Sequence, residues 1–249
     1  MVGSTGRRSH AANSAAEPPV EQEWHRSGSC PEGTIPIRRL PKTTANPNLT
    51  IIHTLSSSQG NIVVDDVSNS PRAENDGGKN HKCFNLLCPA FIQTSNKIAL
   101  GTSFIKGGSS ITYDGVPYVS VSIQRVSGQK QWWVSVNDTI IGYYPHTLFP
   151  TFFPESFVNQ VGGVVHNSRP RGMHTDTVMG NGRMPDSGNS AVVKAYTAVT
   201  ANGADIKDMP ATFGVTAPKC YNAAVLGQNR DVPGYDIAYG GPGGSQCDR

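Results

Sequence analysis

YVSVSIQRVSGQKQWWVSVNDTIIGYYP, residues 118–145, is the stretch whose reading decides the fold. Val119, Val121 and Ile123 recur at every second position, with Ser120, Ser122 and Gln124 between them. After Ser127-Gly128 the alternation resumes as Trp132, Val134 and Val136, and Asn137-Asp138 breaks it before Ile140-Ile141-Gly142-Tyr143. A period of two in β-branched and aromatic residues, cut by short polar breaks, predicts three antiparallel strands in a meander. Such a meander has one apolar face, and that face must be covered by a second layer.

Composition supports the same class. Of 249 residues only 37% are apolar and 16% charged, while Gly reaches 27 and Pro 18, which suits short strands joined by turns rather than helices. The net charge is +3 and the basic residues are scattered, apart from Arg38-Arg39 and Arg169/Arg171, so no nucleic-acid groove is expected. No apolar run approaches the ~18 residues of a membrane span. The first residues, MVGSTGRRSHAANSAAEPP, carry Arg7-Arg8 without an apolar stretch behind them and do not read as a secretory signal. The cysteines point the other way. Cys83, Cys88, Cys220 and Cys247 lie in the strand-rich part, with Cys30 left over, and suggest disulfides and an oxidising compartment. Zinc is the competing reading, but Cys83 and Cys88 have no adjacent Cys or His pair to complete a tetrahedral site. Sequons at Asn48 and Asn137 fit secretion and also arise by chance.

Four regions follow. Residues 1–21 read as a disordered tail. Residues 22–40 are denser, with Trp24, Ile35 and Ile37 as docking candidates. Residues 41–80 form a linker-like region in which LTIIHTL (49–55) and NIVVDDV (61–67) read as strands and SNSPRAENDGGKN (68–80) as a solvated linker. Residues 81–249 alternate apolar runs with turn signals. Within them, 91–101 reads as a strand or hairpin turning at Ser95-Asn96, Asp114-Gly115 as a hairpin turn, and 191–199 as a strand. Phe153–Val161, opened by Pro154 and Glu155, is the one expected helix.

Hydrolysis by a carboxyl pair needs one acid held protonated and another ionised across a cleft. Glu17, Glu21, Glu23, Glu32 and Glu74 lie in the tail and linker regions, and no glutamate follows Glu155. Asp65-Asp66, Asp114, Asp138, Asp176 and Asp186 sit in turns or polar runs. His146, His166 and His174 have no serine in a nucleophile elbow to serve. The Gly240–Gly244 run lacks the Lys-Ser/Thr of a phosphate loop and reads as a turn beside Cys247. Trp132-Trp133 places one indole on each side of a strand, one for the core and one as a peptide or sugar platform.

CPEGTIPIRR (30–39), CFNLLCPAFIQTSNKIALG (83–101), QWWVSV (131–136), IGYYPHTLF (141–149), VGGVV (161–165), VMGNGRMP (178–185), KCYNAAV (219–225) and YGGPGGSQC (239–247) occur in register. Together they resemble the plant neprosin family, secreted glutamic peptidases that cut after proline. The first motif resembles the activation segment, and the rest resemble the C-terminal part of the catalytic domain. The resemblance implies an all-β fold, an antiparallel β-sandwich. It also implies secretion, and disulfides pairing Cys83 with Cys88 and Cys220 with Cys247.

The departures bear on activity. One family glutamate lies in a Trp-Gly-Gly-Glu-Val type motif, and here Val161 and Val164 occupy its tryptophan and glutamate positions. The segment carrying the other glutamate finds no counterpart between Leu40 and Cys83, so the sandwich is expected to be partial. Either a degenerate copy or an incomplete gene model accounts for this. The expectation is a family member without peptidase chemistry, needing no cofactor and no metal. The alternative is a non-enzymatic binder holding a proline-rich peptide or cell-wall glycan on Trp132, Trp133, Tyr143 and Tyr144. Self-association through exposed sheet edges is also expected.

Overall fold

The computed structural model describes residues 21–36, 51–57, 60–65, 72–74, 91–100, 112–113, 116–125, 128–148, 158–163, 165, 174–199, 214–244 and 247. Every strand pairing among them is antiparallel, and only short 3-10 turns, at Glu23–Ser27, His146–Leu148 and Pro185–Ser187, interrupt the strands. The chain is therefore all-β, the class that the alternation predicts.

In chain order the strands are β1 (Ile51–Ser57), β2 (Gly60–Asp65), β3 (Arg72–Glu74), β4 (Ile92–Gln93), β5 (Thr112–Tyr113), β6 (Val116–Pro117), β7 (Val121–Arg125), β8 (Trp132–Val136), β9 (Thr139–Tyr144), β10 (Val158–Gln160), β11 (Ala191–Tyr196), β12 (Asn222–Gln228) and β13 (Tyr235–Gly240). They form sheets ordered β4-β9-β8-β7, β11-β13-β12 and β10-β1-β2-β3, with β5 and β6 paired by themselves.

The meander is β7-β8-β9, as its period of two dictates. Val136 pairs with Thr139 across Asn137-Asp138, whose φ values of 44° and 56° make a two-residue turn of the type favoured by right-twisted strands. Asn137 closes the sheet a second way. Its Oδ1 accepts from Ser120 N at 2.8 Å, and its own N donates to Ser120 O at 2.9 Å. Between Val134 and Ser135 the register with β9 shifts, leaving Ile141 as an extra residue. The bulge puts Ile141 in the core while Ile140 stays 48% exposed. The freed carbonyl of Ile141 is not left unpaired, because Thr94 N and Ser95 N donate to it at 2.9 and 3.2 Å. Phe91, Ile98, Leu100, Trp132, Val134, Val136, Ile141 and Tyr144 form one buried cluster, with Val119, Val121 and Ile123 against it. Gly142 has to be glycine for space: a Cβ there would lie 2.6 Å from the Phe91 ring and strike the Ile92 carbonyl.

The β11-β13-β12 sheet is built round a distortion. Both outer strands shift register where they pass Asp236, between Val193 and Tyr196 on β11 and between Val225 and Gly227 on β12. The strict alternation expected for 191–199 places Tyr196 with exposed Val192 and Lys194. The bulge, with Ala195 at φ 52°, turns Tyr196 inward instead, and it is buried. Met179, Cys220, Tyr221 and Tyr239 make a second buried cluster, joined by Val165, Ala191, Val193 and Cys247.

Two sequence expectations are corrected. Phe153–Val161 is not a helix through its end, because Val158–Gln160 is β10 and pairs with Ser56–Thr54. A nine-residue helix is marginal in water, and an available strand edge satisfies the same backbone groups. Likewise 68–80 is not all linker: Arg72–Glu74 pairs with Val63–Asn61 of β2. The expected strands near 49–55 and 61–67 are present as β1 and β2, and β5 pairs with β6 across Asp114-Gly115. The proposed tail, apart from Glu21, and the Cys83–Cys88 pair lie outside the described residues.

Candidate functional site

The four aromatic candidates divide by strand parity. Trp132 and Tyr144 are paired across β8 and β9 on the inner face, 6% and 1% exposed. Tyr144 also meets Phe91 edge-on at 5.0 Å. These two side chains are core and present nothing to a ligand. Trp133 and Tyr143 pair on the opposite face, their rings 4.7 Å apart and tilted by 47°. Register adds Gln124 on β7 beside Trp133 and Ile92 on β4 beside Tyr143, both exposed. One cross-strand row therefore runs Gln124, Trp133, Tyr143, Ile92. The two rings are tilted against each other and do not form a flat plate. The Trp133 indole N–H lies buried without a hydrogen-bond partner among the described residues.

The acids tell a different story. Among carboxylates whose side chains are described, Asp236 alone is not exposed. Its Oδ1 accepts from Ala195 N at 2.9 Å and Asn229 Nδ2 at 2.8 Å, and its Oδ2 accepts from Lys194 Nζ at 2.9 Å. Burial pushes its proton affinity up, but the donors from Asn229, Ala195 and Lys194 together outweigh that and hold it below the usual carboxylate range. It is an ionised structural hub, unsuited to donate a proton. Tyr196, buried beside this bulge, has its phenol pushed up to about 12 by burial.

Val164, which the resemblance sets at the family's glutamate position, lies outside the described residues, and Val161, Gly162, Gly163 and Val165 beside it in sequence are half-buried. A Cβ on Gly163 would meet Met179 Cγ at 2.5 Å, and Val165 packs on the second cluster.

Cys220 and Cys247 form a disulfide, as the resemblance implies. His174 stands beside it: its ring nitrogen and the two sulfurs all lie within 4.8 Å of one another. Cys30 is free and half-buried.

One feature was missed by sequence reasoning. The N-terminal segment docks through Gln22, which is 1% exposed, rather than through Ile35, which is 37% exposed. Gln22 Nε2 donates to Ala99 O at 3.0 Å, and Oε1 accepts from Ala99 N at 2.7 Å and Trp24 Nε1 at 2.8 Å. The His25 ring bridges Gln22 N, at 2.9 Å from Nδ1, and Lys97 O, at 2.9 Å from Nε2. Gln93 Nε2 donates to Pro36 O at 3.0 Å. A glutamine in a polar run carries no hydrophobic signal, so only the fold reveals it.

The family model described as Neprosin matches residues 69–242, more than half of the chain. The match starts within the region read as unmatched and includes the paired β3. With an all-β fold, the Cys220–Cys247 bond and motifs in register, the chain belongs to the neprosin family.

Proposed function

We propose that this neprosin-family chain does not hydrolyse peptides. The observation that carries the reading is the hydrocarbon side chain of Val164 where the family motif has its glutamate. Valine neither donates a proton nor activates water. The described acids support it, since the one that is not exposed, Asp236, is committed to three donors. Losing an acid/base pair removes roughly 10²–10⁴-fold per group. The test is incubation of the purified chain with a proline-containing peptide at acidic pH. No cleavage is expected, and specific cleavage after proline overturns the reading.

A second reading, binding without turnover, is favoured by the Trp133–Tyr143 pair. Tilted aromatics beside an amide such as Gln124 suit a proline-rich peptide or a glycan. Saturable binding of either, lost in Trp133→Ala, would support it, and no binding to both would end it. The disulfide supports an extracellular destination. The outer edges of β7 and β12, which no other strand covers among the described residues, support self-association.

A further inference from the structure

His174, Cys220 and Cys247 are used by neither reading. Joined as a disulfide, the two sulfurs staple the chain and offer little to an ion, because metal ligation needs thiolates. We propose that reduction of this disulfide exposes a three-ligand site, one imidazole nitrogen and two thiolates, for a borderline-soft divalent cation of the zinc class, with water in the fourth position.

The argument rests on what holds the three ligands once the sulfurs part. Tyr221, next to Cys220, donates from its hydroxyl to Thr177 O at 2.8 Å, tying the Cys220 segment to the His174 segment. Gly244 N donates to Thr175 O at 2.6 Å, tying the segment before Cys247 to the same place. Met179 and Gly241 exchange a further pair of backbone bonds at 2.9 and 3.2 Å. Tyr221 N and Cys220 N both donate to Ala217 O, fixing the turn that presents Cys220. None of these bonds has a sulfur as donor or acceptor, so breaking the S–S bond removes none of them directly.

The dimensions and charges also suit an ion. Zn–S bonds of ~2.3 Å at a tetrahedral angle set two thiolates about 3.8 Å apart, which the Cα–Cα distance of 4.8 Å accommodates by rotamer adjustment. His174 and Cys247 are half-buried and Cys220 is buried, so the imidazole and one of the two sulfur-bearing residues keep part of their surface in solvent. The charge of two thiolates cancels that of a divalent ion, which keeps a half-buried site inexpensive.

The balance is simple. A thiol reductant supplies two electrons and two protons, breaks the S–S bond and becomes a disulfide itself. The cation then displaces one proton from each thiol and takes the neutral imidazole nitrogen. Where no thiol reductant is met, the staple persists. Where one is met, the ion takes over its task and keeps closed the loop between positions separated by 27 in sequence.

The test uses the full chain with Cys30, Cys83 and Cys88 replaced by serine, reduced with a phosphine and titrated anaerobically with Co²⁺ and then Zn²⁺. The expected result is one Co²⁺ per chain, with a thiolate-to-cobalt charge-transfer band and tetrahedral visible bands that Zn²⁺ abolishes. Zn²⁺ should also raise the melting temperature of the reduced chain. His174→Ala should weaken binding at least about tenfold, and the oxidised chain should show no band. Absence of the band after reduction overturns the proposal, as does a His174→Ala titration matching the parent. A reduced chain that loses its β-sheet circular dichroism and does not regain it with Zn²⁺ also overturns it.

Discussion

Replacing Asp236 with alanine tests the idea that a single ionised side chain organises the β11-β13-β12 sheet. The substitution removes three accepted hydrogen bonds. The Lys194 side chain is 34% exposed, so its ion pair contributes about 0–1 kcal/mol. The Ala195 N–H matters more, because it sits half-buried at a left-handed bulge residue whose conformation costs ~1–2 kcal/mol. Bonds to a charged acceptor contribute ~1.5–3 kcal/mol each, and water replaces part of what Asn229 loses. The net loss is about 3 kcal/mol, a fall of roughly 6–12 °C in Tm for a chain of this size.

The effect also has a pH signature. Because the folded environment lowers the Asp236 pKa, its stabilisation is fully present above the ordinary Asp pKa of about 4 and is lost as pH falls through the lower folded value. Thermal unfolding followed by circular dichroism near neutral pH, and in steps into strong acid, reads both effects. Asp236→Asn should lie well below wild type near neutrality and converge with it in acid. An alanine variant within about 2 °C of wild type, or an Asn variant whose gap does not narrow on acidification, refutes the reasoning.

Three further outcomes follow from the β4-β9-β8-β7 sheet and from the N-terminal strap that Gln22 anchors to Ala99. Gly142→Ala should destabilise by at least about 2 kcal/mol, because the new methyl meets the Phe91 ring and the Ile92 carbonyl, and an unchanged denaturation midpoint would contradict this. Trp132→Ala should cost ~3–5 kcal/mol and Trp133→Ala distinctly less, in the same denaturant titration, since only the first indole is fully in the core. Gln22→Ala should deprotect the Ala99 amide in hydrogen exchange and speed proteolysis after residue 24, leaving the β8 amides protected, and an Ala99 amide that stays slow would show the strap is held otherwise.

How much of this was legible in the sequence follows from range. The meander was readable because alternation, the Asn137-Asp138 break and β-branched content are local and agree with one another. The split of Trp132 from Trp133 followed from parity alone, although which indole faced the core did not. The bulges at Ile141 and Ala195 were not readable, since they depend on Ser95 and Asp236, far away along the chain. β10 was misjudged for the same reason: its pairing partner β1 lies about a hundred residues earlier. Gln22 shows the limit most clearly, because a buried polar anchor is invisible until its backbone partners are placed.

The tight reversal between β8 and β9 bears on how this chain would meet a glycosylating enzyme. Asn137-Asp138-Thr139 is an acceptor sequence for N-linked sugar, yet the amide nitrogen that would carry the sugar is enclosed and the carbonyl beside it is already bonded to Ser120. Oligosaccharide at this position and a closed hairpin are therefore mutually exclusive. A transferase meeting the nascent chain before the hairpin shuts would trap it open, and one arriving afterwards would find no substrate.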